Sequence, residues 1–409
     1  MVKNSHYRGE NHNTTPSQAR AGRYVRQNEG YRAFMPAPLP PDPPVRLAGE
    51  LQMLLSQADR ALGRLDGSIQ TLPNPDLFIF MYVRKEAVLS SQIEGTQSSL
   101  QDLLAAEAEI FAPDRPSDVD EVINYVRAMN FGLEHLAQLP VSIRLIKDIH
   151  ALLLRGVRGE RLSPGELRRS QNWIGPGGCT LGEATFVPPP PHKVPAVLGA
   201  LETFLHREKD LPLLIEIGLA HAQFETIHPF LDGNGRVGRL LITFLLCERE
   251  VLTKPVLYLS YYFKRHRAAY YECLQAVRDQ GEWEEWLAFF LRGIAEVSAQ
   301  ATDTARRILV LRETHRTLIT RHLGRAAGNG HRVLEHLFSQ PIVSVNAVQK
   351  LVGVTYSAAN KLVSRLEKHG ILHEFTGQSR NRRFRYEEYI RLFTDPAPET
   401  QDEATGAKP

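Results

Sequence analysis

The sequence predicts a mainly α-helical protein with a short β-hairpin in its middle and a winged helix-turn-helix domain near its C-terminus. Apolar residues recur at helical spacing through much of the chain, as in Leu51, Leu54 and Leu55. Between residues 155 and 195 the chain becomes rich in turns and ends in a run of prolines, which is typical of a hairpin with an exposed edge. Beyond residue 332, short helices and a basic hairpin follow in winged-helix order.

Composition places the chain among ordinary soluble proteins. It has 409 residues, of which 43% are hydrophobic and 23% charged, enough for two or three domains. The net charge of +3 is too small to argue for nucleic-acid binding by itself. The three cysteines lack metal spacing and fit a reducing cytosol, so we expect a cytoplasmic protein. No apolar run is long enough for a membrane span, and the polar N-terminus does not resemble a secretory signal.

Shifts in composition predict the domain boundaries. The first 46 residues are poor in apolar side chains and end in a proline cluster, so we expect disorder that passes into a proline-rich strap on the surface. The remaining expected units are a helical segment over 47–115, a core over 116–300, a linker helix over 301–327, the winged helix-turn-helix over 328–395 and a disordered tail over 396–409.

The most informative stretch is residues 228–239, which read HPFLDGNGRVGR. Gly233 and Gly235 let the backbone approach a ligand closely, and the amides at the start of the next helix form a nest for phosphate oxygens. Arg236 and Arg239 are three residues apart on that helix, so we expect both guanidinium groups on one face. The stretch therefore predicts an anion site.

Two further residues of this stretch suggest chemistry at that anion site. Asp232 lies where a carboxylate would hold Mg²⁺ beside phosphates. His228 lies just before the turn, where it could take a proton from an incoming hydroxyl. Because His228 follows a helix C-terminus, which raises an imidazole pKa, burial or tautomer control has to offset that effect in a free base.

The stretch resembles the signature of the Fic/DOC family, HPFx[D/E]GNGRxxR, and every position is filled. The resemblance implies a Fic helical core with a β-hairpin flap, and transfer of AMP from ATP, with Mg²⁺, to a Tyr, Thr or Ser hydroxyl of a target protein. His228 would be the catalytic base. The nucleotide would be bound by Asp232, Gly233, Asn234, Gly235, Arg236 and Arg239.

A second motif, Ser90-x-x-x-Glu94-Gly95, is similar to the inhibitory motif of the same family, [S/T]xxxE[G/N]. The resemblance implies that Glu94 pairs with Arg239 and leaves ATP only a non-productive pose. Since the motif precedes the core in the same chain, the protein would be self-inhibited. Without the family context, an ordinary helix end with a solvated glutamate would be the better interpretation.

The resemblance also suggests residues around the nucleotide and the target. Extended target segments would dock as an added strand on the flap, at Thr185, Phe186, Val187 and Pro188. Further candidates for nucleotide contact are Gln223, His266, Tyr270 and Tyr271. Packing in an aromatic core is the competing interpretation for these rings.

Several alternatives stay open at this point. Another donor, or removal of AMP with Glu94 orienting water, would fit the same residues. A related lineage that transfers the γ-phosphate carries lysine at the place of Gly235, so the glycine favours AMP transfer. The alternative from another class is an ATP-sensing regulator that binds DNA through its winged helix, where basic residues gather between Lys361 and Tyr386. A homodimer also stays open.

Overall fold

A computed structural model describes residues 20–70, 75–108, 116–136, 138–208 and 210–394. Helices dominate this part of the chain, so the mainly α prediction is confirmed. The disorder expected at residues 1–19 and 396–409 lies outside the described residues.

The N-terminal and central helices follow one another through short connections. In chain order they are α1 (Glu50–Gln70), α2 (Pro75–Ile93), α3 (Leu100–Glu107), α4 (Val119–Leu136), α5 (Ile143–Leu153), α6 (Val194–His206), α7 (Leu213–Ile227), α8 (Asn234–Glu248), α9 (Ser260–Arg265), α10 (Arg267–Gln280) and α11 (Trp283–His322). Ser142 caps α5 by accepting a hydrogen bond from the amide of Leu145, as its sequence position predicts. Within the described residues, no helix has the length and apolarity to cross a membrane.

Helix α7 is the buried centre of the protein. Every residue from Leu214 to Ile227 is buried, and α6, α8, α10 and α11 pack around the helix. A helix enclosed on all sides in this way belongs to the interior. The residue that follows it, His228, therefore leaves the core at a fixed position.

Helix α11 corrects the expected division between core and linker. It runs without interruption for 40 residues, so the predicted linker helix is the second half of the helix that begins at Trp283. No proline interrupts this stretch, and buried apolar residues recur along it from Phe289 to Ile319. Helix α1 packs along α11 and ties the N-terminal segment to it.

The N-terminal region differs from the disorder predicted for it. Residues 22–36 form an antiparallel hairpin of β1 (Gly22–Arg26) and β2 (Arg32–Pro36), with Tyr24 opposite Phe34. The sequence suggested disorder because apolar residues are few here. Two of these apolar residues, Ala33 and Phe34, are nevertheless buried, and their burial stabilises the hairpin.

A separate group of short elements forms the C-terminal part. It comprises α12 (Ala327–Ser339), β3 (Ile342–Ser344), α13 (Val345–Val352), α14 (Tyr356–Lys368), β4 (His373–Glu374), β5 (Arg383–Arg385) and α15 (Glu387–Thr394). The strands form an antiparallel sheet in the order β3-β5-β4. These are elements that a winged helix-turn-helix would have, but that class stays a prediction. Helix α15 was not predicted, and its Phe393 packs edge-on against Tyr82 of α2.

The predicted flap hairpin is shorter than expected. Across the predicted hairpin, only Ile174 and Phe186 pair, in a single β-bridge. No regular strand extends from this bridge within residues 155–195. The four prolines that follow Val187 lack amide hydrogens and cannot continue the pairing.

Candidate active site

His228 ends the central helix in an unusual backbone conformation. Its φ of 48° and ψ of 61° are left-handed, and its amide donates to the carbonyl oxygen of Phe224 at 2.9 Å. Arg168 holds the other side of the residue, because its Nε donates to the His228 carbonyl oxygen at 2.9 Å. The side chain of His228 remains partly exposed and can meet a ligand.

Burial decides the protonation state of His228. Together with the nearby guanidinium groups of Arg278 and Arg168, it lowers the pKa of the imidazole to about 4. These effects exceed the opposing influence of the helix C-terminus. The imidazole is therefore neutral at pH 7. Its Nδ1 has no hydrogen-bond partner among the described residues.

The loop after His228 is closed by its own side chains. The amide group of Asn234 accepts from the Phe230 amide and donates to the Phe230 carbonyl, both at 2.9 Å. The side chain of Asn234, predicted to bind nucleotide, is thus used inside the loop. Oδ1 of Asp232 accepts from the amide of Gly233 at 2.7 Å.

His150 of α5 supports this loop from below, which the sequence did not reveal. Its ring stacks on Phe230 with centroids 3.7 Å apart. The amide of Gly165 donates to Nδ1 at 2.8 Å, so Nε2 carries the proton and donates to the Asp232 carbonyl at 3.0 Å. Burial lowers the pKa of His150 to about 4, which keeps this neutral tautomer at pH 7.

Arg236 is buried in the first turn of α8 and is only partly satisfied. Nη1 donates to Glu121 of α4 at 3.0 Å, which anchors the guanidinium group. Nε and Nη2 are buried and have no hydrogen-bond partner among the described residues. Unsatisfied buried donors on a cation are costly, so this arrangement fits an anion with oxygens to accept them.

Arg239 makes the contact predicted for it. Its Nη2 donates to Oε1 of Glu94 at 2.7 Å, while Nε donates to the hydroxyl of Ser90 at 2.8 Å. Nη2 also donates to the Ser90 carbonyl at 3.0 Å. The amide of Gly95 bonds back to Gln92 at the end of α2, and this turn directs Glu94 towards α8. Both motifs found in the sequence thus meet at one guanidinium group.

The Glu94 carboxylate lies in the place predicted for phosphate. A Cβ atom on Gly235 would lie 2.2 Å from Oε1 of Glu94, so only glycine allows this approach. Burial by itself would raise the pKa of Glu94, but Arg239 and then Arg236 outweigh it and hold the pKa below its usual value. Glu94 is therefore ionised at pH 7 and acts as the anion of the site.

A Mg²⁺ site has a modest basis in the chain itself. No cluster of three or more His, Cys, Asp or Glu side chains suited to a metal occurs in the part of the chain that the structure describes. Asp232 is one partly exposed carboxylate, and its Oδ2 approaches Gly159 closely. Mg²⁺ is commonly held by one carboxylate together with substrate phosphates, so these residues fit the ion only when a polyphosphate is present.

The four further candidates for nucleotide contact differ in whether their side chains already make contacts within the protein. Tyr270 is buried and its hydroxyl bonds to His221 at 2.9 Å, so it belongs to the aromatic core. The amide of Gln223 is also used, because it donates to the Ala37 carbonyl at 2.8 Å. His266 packs on Tyr262 with centroids 4.4 Å apart. Of the four candidates, Tyr271 alone has an exposed ring, and the charges of Glu94 and Arg239 act on its hydroxyl.

The predicted docking edge at Thr185 to Pro188 is not exposed as expected. Phe186 and Val187 are buried, and the amide of Phe34 in β2 donates to the Val187 carbonyl at 2.8 Å. The hairpin of β1 and β2, which the sequence did not predict, thus covers the docking edge that the sequence predicted.

Several positioning residues lacked a local motif. Glu121 and Arg278 lie on helices distant in sequence, and Asn172 donates to the Phe230 carbonyl at 2.8 Å. Arg278 bonds to Thr226 and to the Glu225 carbonyl at the end of α7. A charged residue inside an amphipathic helix is the only sequence signal for Glu121 and Arg278, and it occurs on most surface helices.

Two family models match this chain. The one described as "Fic/DOC family N-terminal" matches residues 52–134, and the one described as "Fic/DOC family" matches residues 140–246. The first range contains Glu94, and the second contains the whole stretch from His228 to Arg239.

Curated proteins are similar in sequence to part of this chain. A probable protein adenylyltransferase of Aquifex aeolicus is 44% identical over 181 residues, which is 43% of this chain and 51% of that protein. The protein adenylyltransferase Fic of Drosophila willistoni is 29% identical over 216 residues, which is 52% of this chain and 39% of that protein. The chain thus spans about half, or less, of the length of these relatives.

A solved structure extends the similarity to most of the fold. The crystal structure of a Fic family protein from Desulfovibrio desulfuricans G20 aligns with a TM-score of 0.55 and 20% identity, over 84% of this chain and 97% of that chain. At this identity the likeness concerns the fold alone.

The protonation of His228 can be measured directly. Because burial holds its pKa near 4, its ring should stay neutral at pH 5.5, where a free histidine is mostly charged. Between pH 6.5 and 4 the unfolded chain would take up this proton and the folded chain would not, so His228 lowers stability as the pH falls through that window. NMR of histidine-labelled protein, assigned with a His228→Gln variant, tests this. A His228 titration near pH 6.5 would contradict it.

Proposed function

We propose that the chain, whose residues 52–134 and 140–246 match the Fic/DOC family models, is a protein adenylyltransferase. It would move AMP from ATP to a Tyr, Thr or Ser hydroxyl of a target protein. The observation that carries the proposal is the arginine pair of α8. Arg239 holds a carboxylate against Gly235, and Arg236 has two buried donors without partners within the described residues. The two guanidinium groups thus provide adjacent positions for negative charge, and such a pair fits a polyphosphate. The names of the curated relatives support the same activity.

His228 is the base in this proposal. The target hydroxyl gives its proton to the neutral imidazole while its oxygen attacks the α-phosphorus of ATP, and pyrophosphate leaves. The low pKa of His228 supports this role, since the imidazole is free to accept a proton at pH 7. The hydrogen bond from the His228 amide to Phe224 and the one from Arg168 to the His228 carbonyl hold the residue in place, so the base needs little reorganisation.

Groups at the start of α8 would stabilise the charge that develops during the reaction. The amides of its first turn, together with Arg236 and Arg239, would offset the negative charge that builds on the leaving pyrophosphate. Glu121 supports this role by fixing Arg236 through Nη1 while Nε and Nη2 face no protein acceptor in the described residues. Mg²⁺ bound by Asp232 and phosphate oxygens would add positive charge beside the same phosphates.

Glu94 would inhibit this reaction within its own chain. Its carboxylate occupies one fork of Arg239 and lies against Gly235, where a phosphate oxygen would have to sit. A γ-phosphate in that place would meet a negative charge and would lose a cationic ligand. ATP could then bind only in a pose from which AMP is not transferred.

The His228→Ala variant tests the base. We expect AMP transfer to fall by at least about 10²-fold, the lower end of what general base catalysis contributes, while ATP still binds. Incorporation of label from α-labelled ATP and calorimetry with ATP measure the two effects. The exposed His192→Ala variant is the matched control and should keep full transfer. Retained transfer in His228→Ala would refute the assignment.

The Glu94→Gly variant tests self-inhibition. Losing one charge-assisted contact worth about 1.5–3 kcal/mol should raise transfer, including self-modification, about tenfold or more. The Glu94→Gln variant keeps the shape of the side chain without its charge, so it should fall between Glu94→Gly and the unaltered chain. The readout is label incorporated per hour at fixed ATP. Equal rates in all three proteins would leave Glu94 without an inhibitory role.

A second function, DNA binding, is favoured by one observation in the C-terminal part. A polar groove of about 740 Å³ runs between α14 and the turn before β5. Arginines of that turn and polar groups of α14 line it, among them Arg380, Arg382, Tyr356 and Asn360. Tyr356 is 54% exposed at the start of α14, and a basic groove of this kind suits a phosphate backbone.

Duplex DNA titrated into the full chain tests this second function. We expect binding that weakens steeply with salt, and Arg380→Ala should lower the salt slope by about one. The control is Arg391→Ala, because Arg391 pairs with Glu387 on α15 away from the groove. Absence of any mobility shift at low salt would rule out this function.

A further inference from the structure

The edge assigned to target docking already carries a strand from the same chain. On one side, residues 174 and 186 exchange two backbone hydrogen bonds, of 2.8 and 3.0 Å. On the other side, the amide of Phe34 donates to the Val187 carbonyl at 2.8 Å. The flap segment is therefore paired on both sides, and β2 takes the place that an added strand would take.

The side chain of Phe34 fills a defined apolar site at this edge. It is 1% exposed and lies against the rings of Tyr24 and Phe186, at centroid distances of 5.1 and 6.0 Å. The guanidinium group of Arg278 covers the Phe186 ring at 3.9 Å. Because Arg278 also bonds to the end of α7, this site is built on the same support as His228.

Polar contacts connect the hairpin to the flap and to the central helix α7. The Tyr31 hydroxyl bonds to Gln171 at 3.2 Å, and Gln171 donates to the Pro188 carbonyl at 3.1 Å. Further along, Ala37 accepts from Gln223 of α7. The segment from residue 31 to 37 thus runs from the flap to the central helix, beside the place where a target hydroxyl would approach His228.

The base of the hairpin is held separately from its contact with the flap. Glu284 of α11 accepts from both terminal nitrogens of Arg20, each at 3.0 Å, and from the amide of Arg46 at 3.0 Å. These two residues lie on either side of the hairpin. The strands between them could leave the flap while both ends stay attached to α11.

We propose that residues 32–37 occupy the flap edge in place of the target, and that a target docks by replacing them with an extended segment that carries a large apolar side chain where Phe34 lies. This proposal rests on the proposed function, and it adds the class of target segment. Control by Glu94 acts on the nucleotide, whereas the hairpin acts on access of the acceptor. The two contacts are formed by different residues, so each can be removed alone.

Binding of a synthetic peptide tests the edge without any need for activity. The probe is a fluorescent peptide of residues 30–38, GYRAFMPAP, added to the full-length protein. Phe34→Asp should free the edge and bind the peptide about tenfold or more tightly than the unaltered chain, whose own strand competes for the edge. Asn28→Asp places the same charge on the exposed hairpin turn and should bind as weakly as the unaltered chain.

Two further measurements keep this binding test decisive. Phe34→Ala, which adds no charge, should bind the peptide more tightly as well if Phe34→Asp fails to fold. A peptide with aspartate in place of phenylalanine should not bind at the concentrations used. Equal affinity in all proteins, or equal affinity of both peptides, would overturn the proposal.

Transfer of AMP tests the consequence for targets. In the Glu94→Gly background, label incorporated into proteins of a cell lysate should rise severalfold with Phe34→Asp, stay unchanged with Asn28→Asp, and fall again when the peptide is added. Tight peptide binding without a rise in incorporation would overturn the role in target access. If none of the proteins incorporates label, adenylyl transfer itself is refuted, and the peptide still decides whether the edge accepts a strand.

Discussion

The contact between Arg239 and Glu94 is the interaction on which the site depends. Arg239 is buried, and a buried guanidinium group needs an anion near it. In the described structure Glu94 is that anion, and the glycine at position 235 gives it room. A carboxylate held this close to the start of a helix marks the position where a phosphate would be stabilised by the same groups. In the proposed function, inhibition and catalysis would therefore compete for the guanidinium group of Arg239.

The rest of the fold fixes helices α7 and α2, which position the residues of the site. Helix α7 is enclosed on all sides, and His228 follows it at the start of the loop before α8. Helix α2 carries Ser90 and Glu94 at its end, and its Tyr82 hydroxyl donates to the Ala301 carbonyl of α11 at 2.8 Å. The ring of Tyr82 also packs against Phe393 in the C-terminal part, so α2 contacts both α11 and the C-terminal part. Glu94 is thus placed by long-range packing rather than by its own short motif.

The parts that the sequence predicted well are those with a local signature. The stretch from His228 to Arg239 could be read from spacing, because glycines and arginines within one loop and one helix turn impose their own geometry. The pairing of Glu94 with Arg239 was expected only from the family resemblance. The residues that could not be predicted act across the fold. Glu121 reaches Arg236 from α4, and β2 covers Val187 from the far N-terminus. Burial of His228 also depends on the whole core, which no local pattern contains.

The most direct measurement of the central claim is calorimetric binding of inorganic tripolyphosphate, which lacks the base and ribose, to the full chain and to its Glu94→Gln variant. If Glu94 occupies the phosphate place, the variant should bind tripolyphosphate about tenfold or more tightly, since one competing charge is gone. A further change, Arg239→Gln in the same variant, should abolish that gain. Equal affinity with and without the Glu94 charge would show that the carboxylate and the phosphates do not share a site, and the account would be wrong.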